Sequence, residues 1–172
     1  MSINIFLSFV LAGLIAIFLF FKPLDIKHQE FIDVPQLEVK NFTLYELVQN
    51  GLKTFMVGSS ATKYDDRFIV EDINYTDRSE KYMANMRAKE GIYKNDKVIL
   101  TGDVVYSREN GFILQTQKII YDKNSSVAIS DVGYTAKMGE NVVHGTYIKY
   151  NNLLNKVYSK NINAIYQLQE SK

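Results

Sequence analysis

Twenty Lys and Arg against nineteen Asp and Glu leave this 172-residue chain a formal charge of +1, and every charged side chain lies beyond residue 21. A balance so near neutral offers no basic footprint for nucleic acid, so no nucleic-acid partner is expected. The absence of cysteine removes disulfides, thiolate metal sites, a cysteine nucleophile and a lipidated N-terminal cysteine.

Residues Ile3 to Phe21 run INIFLSFVLAGLIAIFLFF, with only Asn4 and Ser8 polar. At about 1.5 Å per residue such a helix is roughly 28 Å long, the thickness of a bilayer core, and its apolar character all round fits lipid better than a protein interior. The run closes on Phe20, Phe21, Lys22 and Pro23 rather than on the small residues of a signal-peptidase site, which predicts a retained anchor. Lys22 and Lys27 follow the helix and no basic side chain precedes it, so charge alone does not orient it. The expected organisation is a transmembrane anchor over 1–22, a juxtamembrane connector over 23–36 holding both prolines, and one domain over 37–172.

Beyond the connector the composition turns to Tyr, Val, Ile and Thr punctuated by Gly and Asn, which predicts strands. Phe42 to Val48 leads into Asn50-Gly51, a type I′ hairpin dipeptide, and then into Leu52 to Val57, so these segments read as a first hairpin. A repeat follows. Six segments place an apolar residue, a small or apolar one two later, an apolar residue or Gly three after that, and Tyr two further on. They are Phe68/Val70/Ile73/Tyr75, Met86/Ala88/Gly91/Tyr93, Ile99/Thr101/Val104/Tyr106, Leu114/Thr116/Ile119/Tyr121, Val127/Ile129/Val132/Tyr134 and Val143/Gly145/Ile148/Tyr150; a weaker seventh is Ser159/Asn161/Ala164/Tyr166. The tyrosines of the six recur after 18, 13, 15, 13 and 16 residues, one long strand and a turn each time.

The step of three inside each repeat has physical content. In a regular strand, positions 0 and 2 face one side and positions 5 and 7 the other. Either a bulge returns the later pair to the first face, or the strand crosses between two packed sheets and buries opposite faces in its two halves. Both produce a strongly curved sheet.

Catalytic and metal readings find little support. No G-x-S-x-G, H-E-x-x-H or P-loop run occurs, and the two histidines, His28 and His144, are far apart in the chain, with His144 expected to face solvent. The acidic pairs Asp65-Asp66 and Glu71-Asp72 lack the glycine-containing loop of a calcium site. No catalytic residue, metal or cofactor is therefore expected. Asn74 and Asn124 stand in tripeptides that fit glycosylation acceptors, Asn124 in an expected turn.

The segments MRAKEGIYKNDKVILTGDVVYSREN (86–110), LQTQKIIYD (114–122) and VHGTYIKY (143–150) resemble the OstA-type repeat of lipopolysaccharide transport proteins, and the whole chain, with its N-terminal helix and single domain, resembles the LptC family. Gly51 and Gly139 or Gly145 match glycines of that pattern; the missing basic residues before the helix depart from it. The resemblance implies an all-β, half-open, V-shaped jelly roll in the periplasm, tethered to the inner membrane by one helix. It implies a non-enzymatic scaffold that takes lipopolysaccharide from an inner-membrane ABC transporter and passes it to a periplasmic bridge protein. The trough that would hold acyl chains comprises Phe68, Val70, Ile73, Tyr75, Met86, Ala88, Tyr93, Thr101, Val104, Tyr106, Leu114, Thr116, Ile119, Tyr121, Val132, Tyr134, Val143 and Gly145, with Ala88, Thr101, Thr116 and Gly145 leaving room. The partner edges would be the first strand, with Phe42, Leu44 and Gly51, facing the transporter together with the N-terminal helix, and the last, Ile162 to Leu168 with Ile162, Ala164, Tyr166 and Leu168, facing the bridge protein. The competing class is a membrane-anchored extracytoplasmic β-domain that binds a protein or glycan and has a closed, side-chain-filled core.

Overall fold

The computed structural model describes residues 33–49, 51–79 and 81–167. The expected anchor, almost all of the connector, and Leu168 at the end of the expected last strand lie outside the described residues. From Pro35 onward the described chain forms one unit, all-β and without a helix. Its strands are β1 (Leu37–Val48), β2 (Gly51–Lys63), β3 (Phe68–Asp77), β4 (Ala84–Lys94), β5 (Lys97–Arg108), β6 (Phe112–Asp122), β7 (Val127–Ser130), β8 (Tyr134–Met138), β9 (Asn141–Gly145), β10 (Tyr147–Asn151), β11 (Lys156–Lys160) and β12 (Asn163–Ile165).

All pairings are antiparallel, and consecutive strands pair from β1 to β6. The expected hairpin is there: β1 and β2 pair from Leu37 with Lys63 to Val48 with Gly51. Asn95 and Asp96, both at positive φ, make the two-residue turn between Lys94 and Lys97 that such φ values favour. Past β6 the sheet divides. The first half of β6 pairs β8, which pairs β9, which pairs β12; the second half pairs β7, which pairs β10, which pairs β11. The short strands are thus halves of three interrupted long ones, β7 with β8, β9 with β10 and β11 with β12. The sheet is open, ending at β1 on one side and at β11 and β12 on the other.

The step of three is resolved in two ways. In β3 and β4 the pairing runs Val70 with Gly91 and Ile73 with Ala88 with no register change, and Asp72 between them sits at φ 49°. In β5 an extra residue is inserted at Gly102-Asp103, at φ 76° and 47°, with register shifts against both β4 and β6. Asn41 in β1, at φ 49°, marks the same point. The two residues thrown to the outside at this point are polar in strand after strand, and they bond to one another: Ser59 to Asp72, Ser60 to Glu71, Thr101 to Glu90, Lys89 to Asp103 and Gln117 to Asp103.

The inserted residue corrects the β5 repeat. Val98 and Leu100, not Ile99 and Thr101, share the face of Val104 and Tyr106; Thr101 faces the other way, its hydroxyl donating to Glu90 at 3.3 Å. The same one-residue offset separates β7 from β8, so Ala128 and Ser130 stand inward with Tyr134, Val127 and Ile129 face outward, and Val132 lies in the connection. At the chain's end the pattern is Val157, Ser159 and Ala164, with Ile162 between β11 and β12, and the weaker seventh repeat was misaligned by two residues.

Candidate functional site: an apolar trough from edge to edge

Four rows of side chains line the inner face, and two of them can be followed through cross-strand neighbours across the whole sheet. One is Leu37, Lys63, Phe68, Tyr93, Val98, Tyr121, Ala128, Tyr150 and Val157. The other is Leu44, Met56, Tyr75, Met86, Tyr106, Leu114, Ala136, Val143 and Ala164. At about 4.8 Å between strands each row is roughly 38 Å long. The side chains are half-buried over most of that length and exposed near the edges, as at Leu44 and Val157.

Between these walls lies a packed floor. Ala88, Leu100, Val104 and Ile119 form the buried cluster, with Ile73, Met86, Val98, Leu114 and Ala128 packed against it. Large and small residues alternate from strand to strand: Phe42 beside Gly58, Ile73 beside Ala88, Val104 beside Thr116, Tyr134 beside Gly145. The small residues are filled by these neighbours. A Cβ on Gly145 would stand 2.4 Å from Tyr134 Cε1, and one on Gly58 would stand 2.6 Å from Phe42 Cε1. Gly145 therefore makes room for the Tyr134 ring rather than for a ligand, a correction to the expected opening at this position. The Thr116 hydroxyl, in the same way, is committed to the Ser130 hydroxyl at 2.8 Å and to the Gly133 carbonyl at 3.0 Å.

The floor's polar groups are closed in short chains. Ser159 donates to the Tyr147 carbonyl at 2.7 Å, which leaves its oxygen to accept from the Tyr134 hydroxyl at 2.8 Å, tying β8 to β11 and β10. No buried side-chain nitrogen or oxygen among the described residues lacks a partner. On the wall, burial pushes the Tyr75 phenol up from its ordinary range and the Asp77 carboxylate adds to the shift, so this side chain stays neutral at physiological pH.

Most of the expected trough residues share this inner face: Phe68, Tyr75, Met86, Tyr93, Tyr106, Leu114, Tyr121 and Val143 on the walls, and Val70, Ile73, Ala88, Val104, Thr116, Ile119, Tyr134 and Gly145 on the floor. Thr101 and Val132 do not. The first hairpin carries the repeat too, unread in the sequence for want of the tyrosine: Leu37/Val39/Phe42/Leu44 and Met56/Gly58/Ala61/Lys63 keep the same offsets with leucine and lysine in its place. Of the expected edge residues, Phe42 and Leu44 lie in β1, Gly51 opens β2 at φ 114°, and Ala164 lies in β12; Tyr166 lies beyond the last strand and is 73% exposed. His144 is exposed and bonded to Thr135, Asn74 accepts from Asn85 within the sheet, and Asn124 sits in the exposed β6–β7 turn. Among the described residues no three His, Cys, Asp or Glu side chains are grouped to hold a metal.

Both edges carry exposed apolar side chains, Leu37, Val39, Leu44, Tyr45, Leu47 and Val48 along β1 and Val157, Tyr158, Ile162 and Ile165 at the far end. This sheet is similar to a solved structure, that of LptH from Pseudomonas aeruginosa, described as the LptA homologous periplasmic component of the conserved lipopolysaccharide transport device. The two agree with a TM-score of 0.56 at 14% identity, over 67% of this chain and 95% of that one. No curated protein sequence matches significantly. A family model described as lipopolysaccharide-assembly, LptC-related, matches residues 6–166, nearly the whole chain, and the chain belongs to that family.

Proposed function

We propose that this protein is a non-enzymatic lipopolysaccharide-transfer scaffold, tethered to the inner membrane by the Ile3 to Phe21 helix with its β-domain in the periplasm. Membership of the family gives it a role in lipopolysaccharide transport. The finer reading rests on one observation: two rows of half-buried, mostly apolar side chains run without interruption to both open edges, above a floor that side chains already fill. A filled floor with unfilled walls is what a trough for chains needs, whereas a closed core would bury the walls as well. Acyl chains then lie along the rows in a half-open, V-shaped roll. They arrive at the β1 edge from an ABC transporter, which the N-terminal helix also contacts, and leave at the β11/β12 edge toward a bridge protein. Unpaired strand edges with apolar side chains recruit further strands.

The experiment is a photo-crosslinker at Tyr106, on the wall, compared with one at Val105, its outward neighbour, in living Gram-negative cells. Lipopolysaccharide should be captured at Tyr106 and not at Val105, and only when ATP is available. Equal capture at the two positions, or none at Tyr106, overturns the trough. The anchor is tested separately: mature protein whose N-terminal sequence begins after Phe21 would refute retention.

A further inference from the structure

The two mouths of the trough carry their charges differently. On the β7/β10/β11 side, Lys63 belongs to the wall row itself, and its ammonium lies 5.8 Å from the centre of the Phe68 ring. Lys123, in the β6–β7 turn, lies 5.2 Å from the centre of the Tyr93 ring. Phe68 and Tyr93 are cross-strand neighbours with ring centres 6.4 Å apart. Two cations thus flank one aromatic pair at the rim of one wall. Neither has a carboxylate within ion-pair reach among the described residues; the nearby Asp96 is taken up by the Tyr93 hydroxyl at 3.0 Å and by Asn124 at 3.4 Å. At the opposite mouth, the same face carries Glu46, which pairs with Lys53 at 2.9 Å, and Asp77, beside Thr54 and the cation of Arg108.

Resting on the trough reading above, we propose that Lys63 and Lys123 form a phosphate clamp for the headgroup of the lipid whose acyl chains lie in the trough. A cation over the face of a ring is drawn to it, and the ring holds it at the rim, above the apolar wall. A phosphorylated lipid with its chains against Phe68 and Tyr93 brings its phosphate ester to that rim, where the two cations meet it. The lipid is thereby held at its headgroup as well as along its chains.

The test uses the full chain in neutral detergent with two fluorescent lipids, bis-phosphorylated lipid A and the same lipid with both phosphates removed. The unmodified chain should prefer the phosphorylated form by roughly tenfold, the sum of two exposed cation–phosphate contacts. The pair Lys63→Gln with Lys123→Gln should bring that ratio close to one while leaving affinity for the dephosphorylated lipid unchanged. Lys81→Gln, which removes a cation standing over Tyr82 outside these rows, should leave the ratio intact. The preference should also shrink as salt is added. Competition by phosphatidylglycerol as strong as that by phosphorylated lipid A would assign the clamp to phosphate in any lipid; weaker competition would assign it to the glycolipid. A ratio that survives the double substitution, or no preference in the unmodified chain, overturns the clamp and leaves the trough standing. If neither lipid binds, it is the trough reading that fails.

Discussion

Replacing Gly145 by alanine tests whether the floor is filled or vacant. The new Cβ would lie 2.4 Å from Tyr134 Cε1 and 2.9 Å from both Cζ and the hydroxyl oxygen, where carbon atoms in contact stay about 3.5–4.0 Å apart. The ring has to retreat by about 1 Å. It is 6% exposed, and its hydroxyl is engaged with Ser159 at 2.8 Å, so the movement both overpacks the floor and strains a half-buried hydrogen bond. Overpacking costs about 1–3 kcal/mol and the hydrogen bond about 1 kcal/mol, against a gain of about 0.5–1 kcal/mol from replacing a strand glycine. The expected loss is about 1–3.5 kcal/mol, a fall in Tm of roughly 3–17 °C for a domain of this size. Urea unfolding of Gly145→Ala is compared with the same change in a Tyr134→Ala background. With the ring gone the alanine should cost nothing or stabilise slightly, giving a coupling at least as large as that loss. A single variant within 0.5 kcal/mol of the parent, or equal losses in both backgrounds, would show that Gly145 does leave room beside Tyr134 and that the floor has been misread.

Gly102→Ala should cost about 2 kcal/mol by urea unfolding, since its φ is +76° and its Cβ would meet Lys89 Cβ at 2.8 Å; Gly111→Ala, at φ +87° with open space around it, should cost about 1 kcal/mol, and equal losses would mean that Lys89 does not pin the bulge. The hydrogen bonds from Lys89 and then Gln117, aided by the charge of Lys89, hold the Asp103 carboxyl below its ordinary 3.8. A carboxyl lowered in the folded state contributes stability that is present above its unfolded value and lost as pH falls through the folded one, so this tie fades only below about pH 4. Lys89→Gln should raise the Asp103 midpoint in a carboxyl-carbon NMR titration, and an unmoved midpoint would assign the shift elsewhere.

The strands were legible because each buries one face for most of its length, and apolar periodicity reports burial directly. The offset from position 2 to position 5 was equally plain, but not its mechanism. A polar pair between two inward residues reads the same whether the backbone absorbs the step through one residue at positive φ, as at Asp72, or through an inserted residue, as at Gly102-Asp103. That ambiguity put Thr101 and Ile99 on the wrong face. Glycine followed by aspartate was the available signal, since both tolerate positive φ, and no other tyrosine repeat has that dipeptide at this point. β1 and β2 were legible as a hairpin but not as members of the repeat, because their offsets are intact while their last inward residues are Leu44 and Lys63 rather than tyrosine. The filling of Gly145 by Tyr134 could not be read from the chain, because it depends on which strands become neighbours beyond β6, where the sheet divides.

Counting the interrupted strands as wholes, the sheet has an odd number of members among the described residues, each opposite in direction to the last, so β1 and the β11/β12 strand run the same way. Parity of this kind restricts how the sheet can be prolonged. A second copy added by simple displacement along the sheet would bring its first strand against the last strand of its neighbour in parallel, breaking the antiparallel pattern at every junction and giving the slanted, slightly weaker ladder. Two copies related by a twofold axis would instead join like edge to like edge in antiparallel fashion, and the pair would end on two identical edges with no distinct receiving side. A partner that continues the ladder antiparallel and still preserves direction along the trough has to present an edge strand of the opposite sense, which copies of this chain related by displacement alone do not provide.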